Sequence, residues 1–155
     1  MIDEVNAMSN LTPLERMEQE IYDAGICLIE RRPAQDIDAL YIRRSGRAPR
    51  IYIDPAITSM RTRYVLLGEE LAHHYTTVGD IVALATPMQR RQERTAREYA
   101  YRRLAPYAVI LQMLRQNYYA YEIADWLYVP MWYLHDAMRY YRIEQHATRI
   151  EDEVC

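Results

Sequence analysis

The stretch Gly68-Glu69-Glu70-Leu71-Ala72-His73-His74-Tyr75-Thr76-Thr77, GEELAHHYTT, sets two adjacent carboxylates four residues ahead of two adjacent imidazoles. On a helix of about 100° per residue from about Ser59 to Thr77, Met60, Tyr64, Leu67, Leu71 and Tyr75 fall in one narrow stripe. Glu69 and His73 lie together on the opposite side, flanked by Leu66 and Thr62, with Glu70 turned toward the edge between the faces. One side is apolar and the other nearly uncharged, so the helix is expected to be covered on both. A carboxylate in such a place needs a partner, because an isolated charge in a dry interior is very costly.

Side chains at i and i+4 stack on one helix face, which lets two of them reach one metal ion while the residue at i+1 points sideways toward a bound water. That is the geometry of H-E-x-x-H with Glu69 in place of the first His, an E-E-x-x-H variant. A buried Glu–His hydrogen bond accounts for these residues equally well, and a third ligand is what would decide. The next segment predicts a helix capped at Thr86, with Pro87 first and an inward stripe of Ala96, Ala100 and Leu104. Glu93 stands three residues before Ala96 and so begins that stripe, whereas Glu98 lies between Arg94 and Arg102 as a solvated ion pair would. An inward Glu on the helix after E-E-x-x-H is the ligand order of gluzincin-like metallopeptidases. An acid in the first turns is also favoured by the helix dipole.

The flanking sequence gives an α+β order of helix, small sheet, then four or five helices. Residues 11–24 carry an N-cap at Thr12, Pro13 at the first helical position and apolar Leu14, Met17 and Ile21, with Gly25 as the stop. Three short β-type runs follow, Ile26–Ile29, Ala39–Ile42 and Ile51–Ile53, whose brevity and turn-rich connections predict a small antiparallel sheet. At 155 residues, half of them apolar, the chain is read as one domain with one core. Its parts are a helix plus small sheet (1–57), the metal-site helices (58–116), a C-terminal helical hairpin (117–147) and a flexible tail (148–155). No run approaches the ~18 apolar residues of a membrane span, and the acidic start MIDEVNAMSN does not resemble a secretion signal, so a cytoplasmic protein is expected. With two cysteines, any metal must use His and carboxylates. All 19 basic residues are arginines, which excludes lysine as a base or Schiff-base former.

Residues 121–142 read as helix, turn, helix, with Ala124 and Val129 placed as in a DNA-binding helix-turn-helix. Arg139 and Arg142 are the only positive charges of its second helix, so base-edge readers are scarce and direct nucleic-acid binding is not expected. A packing element or a protein-recognition surface fits better. Tyr118, Tyr119, Tyr121, Tyr128, Tyr133, Tyr140 and Tyr141 are read as an aromatic interior, and Cys27 as a small core residue on a strand. His74 is read as structural, His135 and His146 as surface or packing residues, and Cys155 as part of an acidic tail.

The chain resembles the ImmA/IrrE family of metallo-endopeptidases, especially its phage and mobile-element members. The resemblance is carried by Val65 to Thr77, by Glu93, Ala96, Tyr99 and Ala100 before Leu104-Ala105-Pro106, and by Ala39-Leu40-Tyr41 upstream of Ile51-Tyr52-Ile53. It implies a zincin-like fold and a peptidase that cleaves a repressor carrying a helix-turn-helix domain. His73 and Glu93 would then be metal ligands, Glu69 would occupy the ligand position usually held by His, and Glu70 would be the general base. Zinc is the implied ion, and a Glu-His-Glu set also suits manganese or iron. The alternatives are a non-catalytic module that grips the repressor and, more weakly, a DNA-binding regulator using residues 121–142.

Overall fold

In the computed structural model the described residues are 10–34, 36–79 and 87–143, apart from the side chains of 87–90. The expected cap at Thr86, His146, Cys155 and the tail 148–155 lie outside them. The protein is α+β, with six helices and one three-stranded sheet among the described residues. The chain forms two compact units that divide between Ala100 and Tyr101.

The first unit begins with α1 (Pro13–Asp23), capped as expected. Thr12 and Glu15 exchange side-chain and backbone hydrogen bonds of 2.7 and 3.2 Å, satisfying two backbone donors that the first turn leaves free. Those bonds hold the Glu15 carboxyl below its usual pKa. Leu14, Met17 and Ile21 are buried, and Gly25 turns the chain at φ +71°, a conformation that glycine adopts without a Cβ clash.

The strands are β1 (Cys27–Glu30), β2 (Ala39–Ile42) and β3 (Arg50–Ile53). The sheet is mixed rather than antiparallel. Its order is β1-β3-β2, β3 running antiparallel to β2 and parallel to β1. After β2 the chain turns back between the two earlier strands. This makes β3 the central strand, and Ile51 and Ile53 on it are fully buried. Four-residue runs announce strands without fixing their partners, which is why the pairing was not legible. The alternation buries Ile26 and leaves Cys27 exposed, correcting its placement in the core.

The sheet is covered by α2 (Met60–Thr76), which meets β2, β3 and α1. Ser59 caps it by accepting from the Thr62 N–H at 3.3 Å. Val65, Leu67, Gly68, Leu71 and Ala72 are buried. The expected stripe is therefore right at Leu67 and Leu71, but the covered arc continues through Gly68 to Val65 and Ala72. Met60 and Tyr75, at the stripe's two ends, are exposed. A wheel assigns a face to each residue, but it cannot tell where along the helix the covering structure begins and stops. Tyr75 instead donates its hydroxyl to Glu20 of α1 at 3.0 Å. Arg63 ties α2 to Glu30 of β1.

The described chain resumes with α3 (Pro87–Leu104), then α4 (Tyr107–Arg115), α5 (Ala120–Leu127) and α6 (Met131–Tyr141). In the second unit Ile110, Ile123, Ala124, Val129, Tyr133, Leu134 and Ile143 are each buried. The turn between α5 and α6 passes through Tyr128 in the left-handed conformation, φ 59°. Tyr133 belongs to the aromatic interior as expected, its ring tilted against that of Tyr101 with centroids 5.3 Å apart. Tyr118, Tyr119 and Tyr121 do not: all three are exposed, and Tyr119 and Tyr121 lie face to face with centroids 5.8 Å apart. Tyr119 and Tyr121 sit on either side of the first residue of α5, whose inward positions are taken by Ile123 and Ala124. No helix among the described residues is long and apolar enough to cross a membrane.

Candidate metal centre

Glu69, Glu70, His73 and His74 occupy the last two turns of α2. The opposing helix α3 is brought close by small side chains. Ala72, Ala96 and Ala100 form one buried cluster, and methyl groups let two helix backbones approach where larger residues would hold them apart. His73 follows Ala72, and Glu93 lies one turn before Ala96. The result is the contact that the inward stripe predicted, with His73 Nε2 3.4 Å from Glu93 Oε1. Leucine at position 96 should force the helices apart, so Ala96→Leu is expected to cost about 1–3 kcal/mol in urea unfolding. A loss below about 0.5 kcal/mol would mean that the alanines are not in tight contact.

An N–H···O bond is normally 2.7–3.2 Å long, and 3.4 Å is outside that range. A carboxylate–imidazole ion pair spans this distance, and two donors on one tetrahedral ion at about 2.0–2.2 Å stand roughly 3.3–3.6 Å apart, so the separation accommodates both readings of the pair. Burial holds the His73 imidazole below its usual pKa. Glu93 opposes that effect and Arg97 adds to it, so the ring keeps a free lone pair, the form in which imidazole binds metals. Glu69 is half-buried and engaged in an interaction of its own. No three His, Cys, Asp or Glu side chains among the described residues gather closely enough to hold an ion. The pair is formed, and the third position is not closed around it.

Glu70 points elsewhere, toward the sheet. Its Oε2 accepts from the backbone N–H of Tyr41 on edge strand β2 at 2.7 Å. Burial pushes the carboxyl up to about 8; the Tyr41 hydrogen bond pulls the other way, and the carboxylates of Glu69 and Glu93 add to the rise.

Tyr41 is the residue that sequence reasoning missed. Buried to 2% exposure, it also places its hydroxyl 2.8 Å from His74 Nδ1, with the two rings edge to face at 5.8 Å. Strand alternation could have turned its side chain inward, but no local signal announces bonds to residues 29 and 33 positions away. His74 thus packs against the sheet as a structural residue, its pKa lowered by burial and then by Arg43. No family model, curated protein or solved structure matches this chain.

Proposed function

We propose that the chain is a metal-dependent endopeptidase of the ImmA/IrrE kind, zincin-like in fold, that cleaves a repressor-type protein of a prophage or mobile element in the cytoplasm. The observation that carries this reading is the approach of His73 and Glu93 to 3.4 Å, with Glu70, a half-buried carboxyl pushed up to about 8, on the same two turns of α2. His73 and Glu93 would hold the ion, with Glu69, one turn before His73, as the third ligand. Zinc is the first expectation, and manganese or iron suits the same donors. A divalent ion there supplies Lewis acidity toward a peptide carbonyl and water. Glu70 takes and returns the proton, and the Tyr41 N–H fixes which of its oxygens is free to do so.

The segment 121–142 is read as a helix-turn-helix-like element that meets protein rather than DNA. Its exposed surface carries Tyr121, Trp126 and Trp132, while Arg139 is occupied by Asp136 at 2.9 Å. Large exposed aromatics suit a protein partner, and base readout requires free donors.

Purified without chelator, the protein should carry about one divalent ion per chain, ligated within ~2.0–2.3 Å if zinc. His73→Ala and Glu93→Ala should each abolish that stoichiometry in plasma emission analysis. Full metal retention in both variants would place the ion elsewhere and remove the proposed site. A non-catalytic repressor-binding module, the second reading, would keep the ion and leave a co-incubated repressor intact.

A further inference from the structure

The two loops that flank β2 use their arginines differently. In the loop after β1, Arg31 stacks over Tyr52 at 5.4 Å and Arg32 pairs with Asp36 at 2.9 Å and Asp54 at 3.4 Å, so these charges are spent inside the fold. The turn joining β2 to β3 runs Arg43-Arg44-Ser45-Gly46-Arg47-Ala48-Pro49-Arg50 and contains no acid. Arg43 donates to the carbonyls of Thr77 and Gly79, just past the C-terminus of α2. That end of a helix carries partial negative charge and welcomes a cation. The contact fastens the turn beside the helix end that holds His73 and His74. Arg44, Arg47 and Arg50 are exposed, and none of them is ion-paired among the described residues. Arg50 is fixed by its ladder position opposite Ile42. A backbone bond of 3.2 Å from Arg47 to Arg44, with Gly46 at φ +74°, fixes the other two.

We infer that this turn is a docking ridge for an acidic segment of the protein that the neighbouring site engages, an inference that rests on the peptidase reading. Exposed arginines are ordinarily just solvated, and a chain of net charge -3 has no general need of them. Here a run of one sign is presented on a braced turn next to the candidate site, so little order must be gained on binding. A nucleic acid is the less suitable occupant. Three cations displace few counterions, the turn offers no aromatic ring for stacking, and the chain as a whole repels phosphate.

The test is fluorescence anisotropy with a labelled peptide rich in Asp and Glu, its Asn and Gln counterpart, and a labelled DNA duplex. The full-length protein should prefer the acidic peptide to the amide peptide by roughly tenfold, with the preference shrinking as salt rises. R44A/R47A/R50A should lose that preference, whereas R16A/R102A/R115A, exposed elsewhere and with the same change in charge, should keep it. R44E/R47E/R50E should instead prefer a Lys-rich peptide, which separates a charge effect from any loss of fold. Equal binding of acidic and amide peptides, equal loss in both alanine triples, or tighter binding of the duplex overturns the ridge. Glu70→Gln should bind the acidic peptide as wild type does. A repressor left uncut by a protein that retains the preference would therefore count against the peptidase reading alone.

Discussion

Glu70→Gln should make the metal-free protein more stable at pH 8 while leaving its stability at pH 5 almost unchanged. The folded chain holds the Glu70 carboxyl near pKa 8, above its ordinary 4.5, so the folded state binds this proton more tightly than the unfolded chain does. The stability contributed by protonated Glu70 is therefore fully present below about pH 4.5 and is lost as pH rises through about 8. At about 1.4 kcal/mol per pH unit, the loss across that window is on the order of 3–5 kcal/mol. Glutamine keeps the shape and an acceptor for the Tyr41 N–H without the buried charge. Urea unfolding of chelator-treated protein at pH 5, 6.5 and 8 should show the wild type falling relative to the variant at each step. Parallel curves would mean that Glu70 is better solvated than its packing under β2 indicates.

The same substitution should cost activity. If Glu70 carries the proton for peptide hydrolysis, Glu70→Gln should reduce cleavage of a cognate repressor by about 10²–10⁴-fold while retaining metal. If the proposed site holds zinc, Glu69→His should tighten it without harm to the fold, since imidazole is the more usual zinc ligand. The readout is co-incubation with a candidate helix-turn-helix repressor, followed by gel and mass spectrometry. Should wild type and both variants bind the repressor equally and cut none of it, catalysis is excluded and the binding module is the function that remains. Gain of stability with loss of activity in one variant is the pattern expected where a buried charge is kept for chemistry at the expense of the fold.

How much of this was legible follows from the range of each interaction. Local chemistry fixed α1, because Thr12, Pro13 and Gly25 act on the backbone within a few residues of themselves. Period fixed α2 and the inward side of α3: small Ala96 and Ala100 mark the face that must approach another helix, and Glu93 one turn earlier is carried toward His73 with it. Composition excluded a lysine site, because the chain has no lysine, and a cysteine-rich zinc module, because it has two cysteines. The tertiary structure alone decided the rest. It inserted β3 between β1 and β2, since pairing energy depends on strands meeting across loops that carry no record of it. The length of the cover over α2 left Met60 and Tyr75 in solvent, and the packing of Ile123 and Ala124 left Tyr119 and Tyr121 outside. Tyr41, a residue of an unremarkable strand, became the partner of both Glu70 and His74. The sequence by itself determined which side chains share a helix face, because that is set by bond geometry over four residues. The tertiary structure alone decided what each face meets and how far a carboxyl's pKa is moved, because burial belongs to the assembled fold.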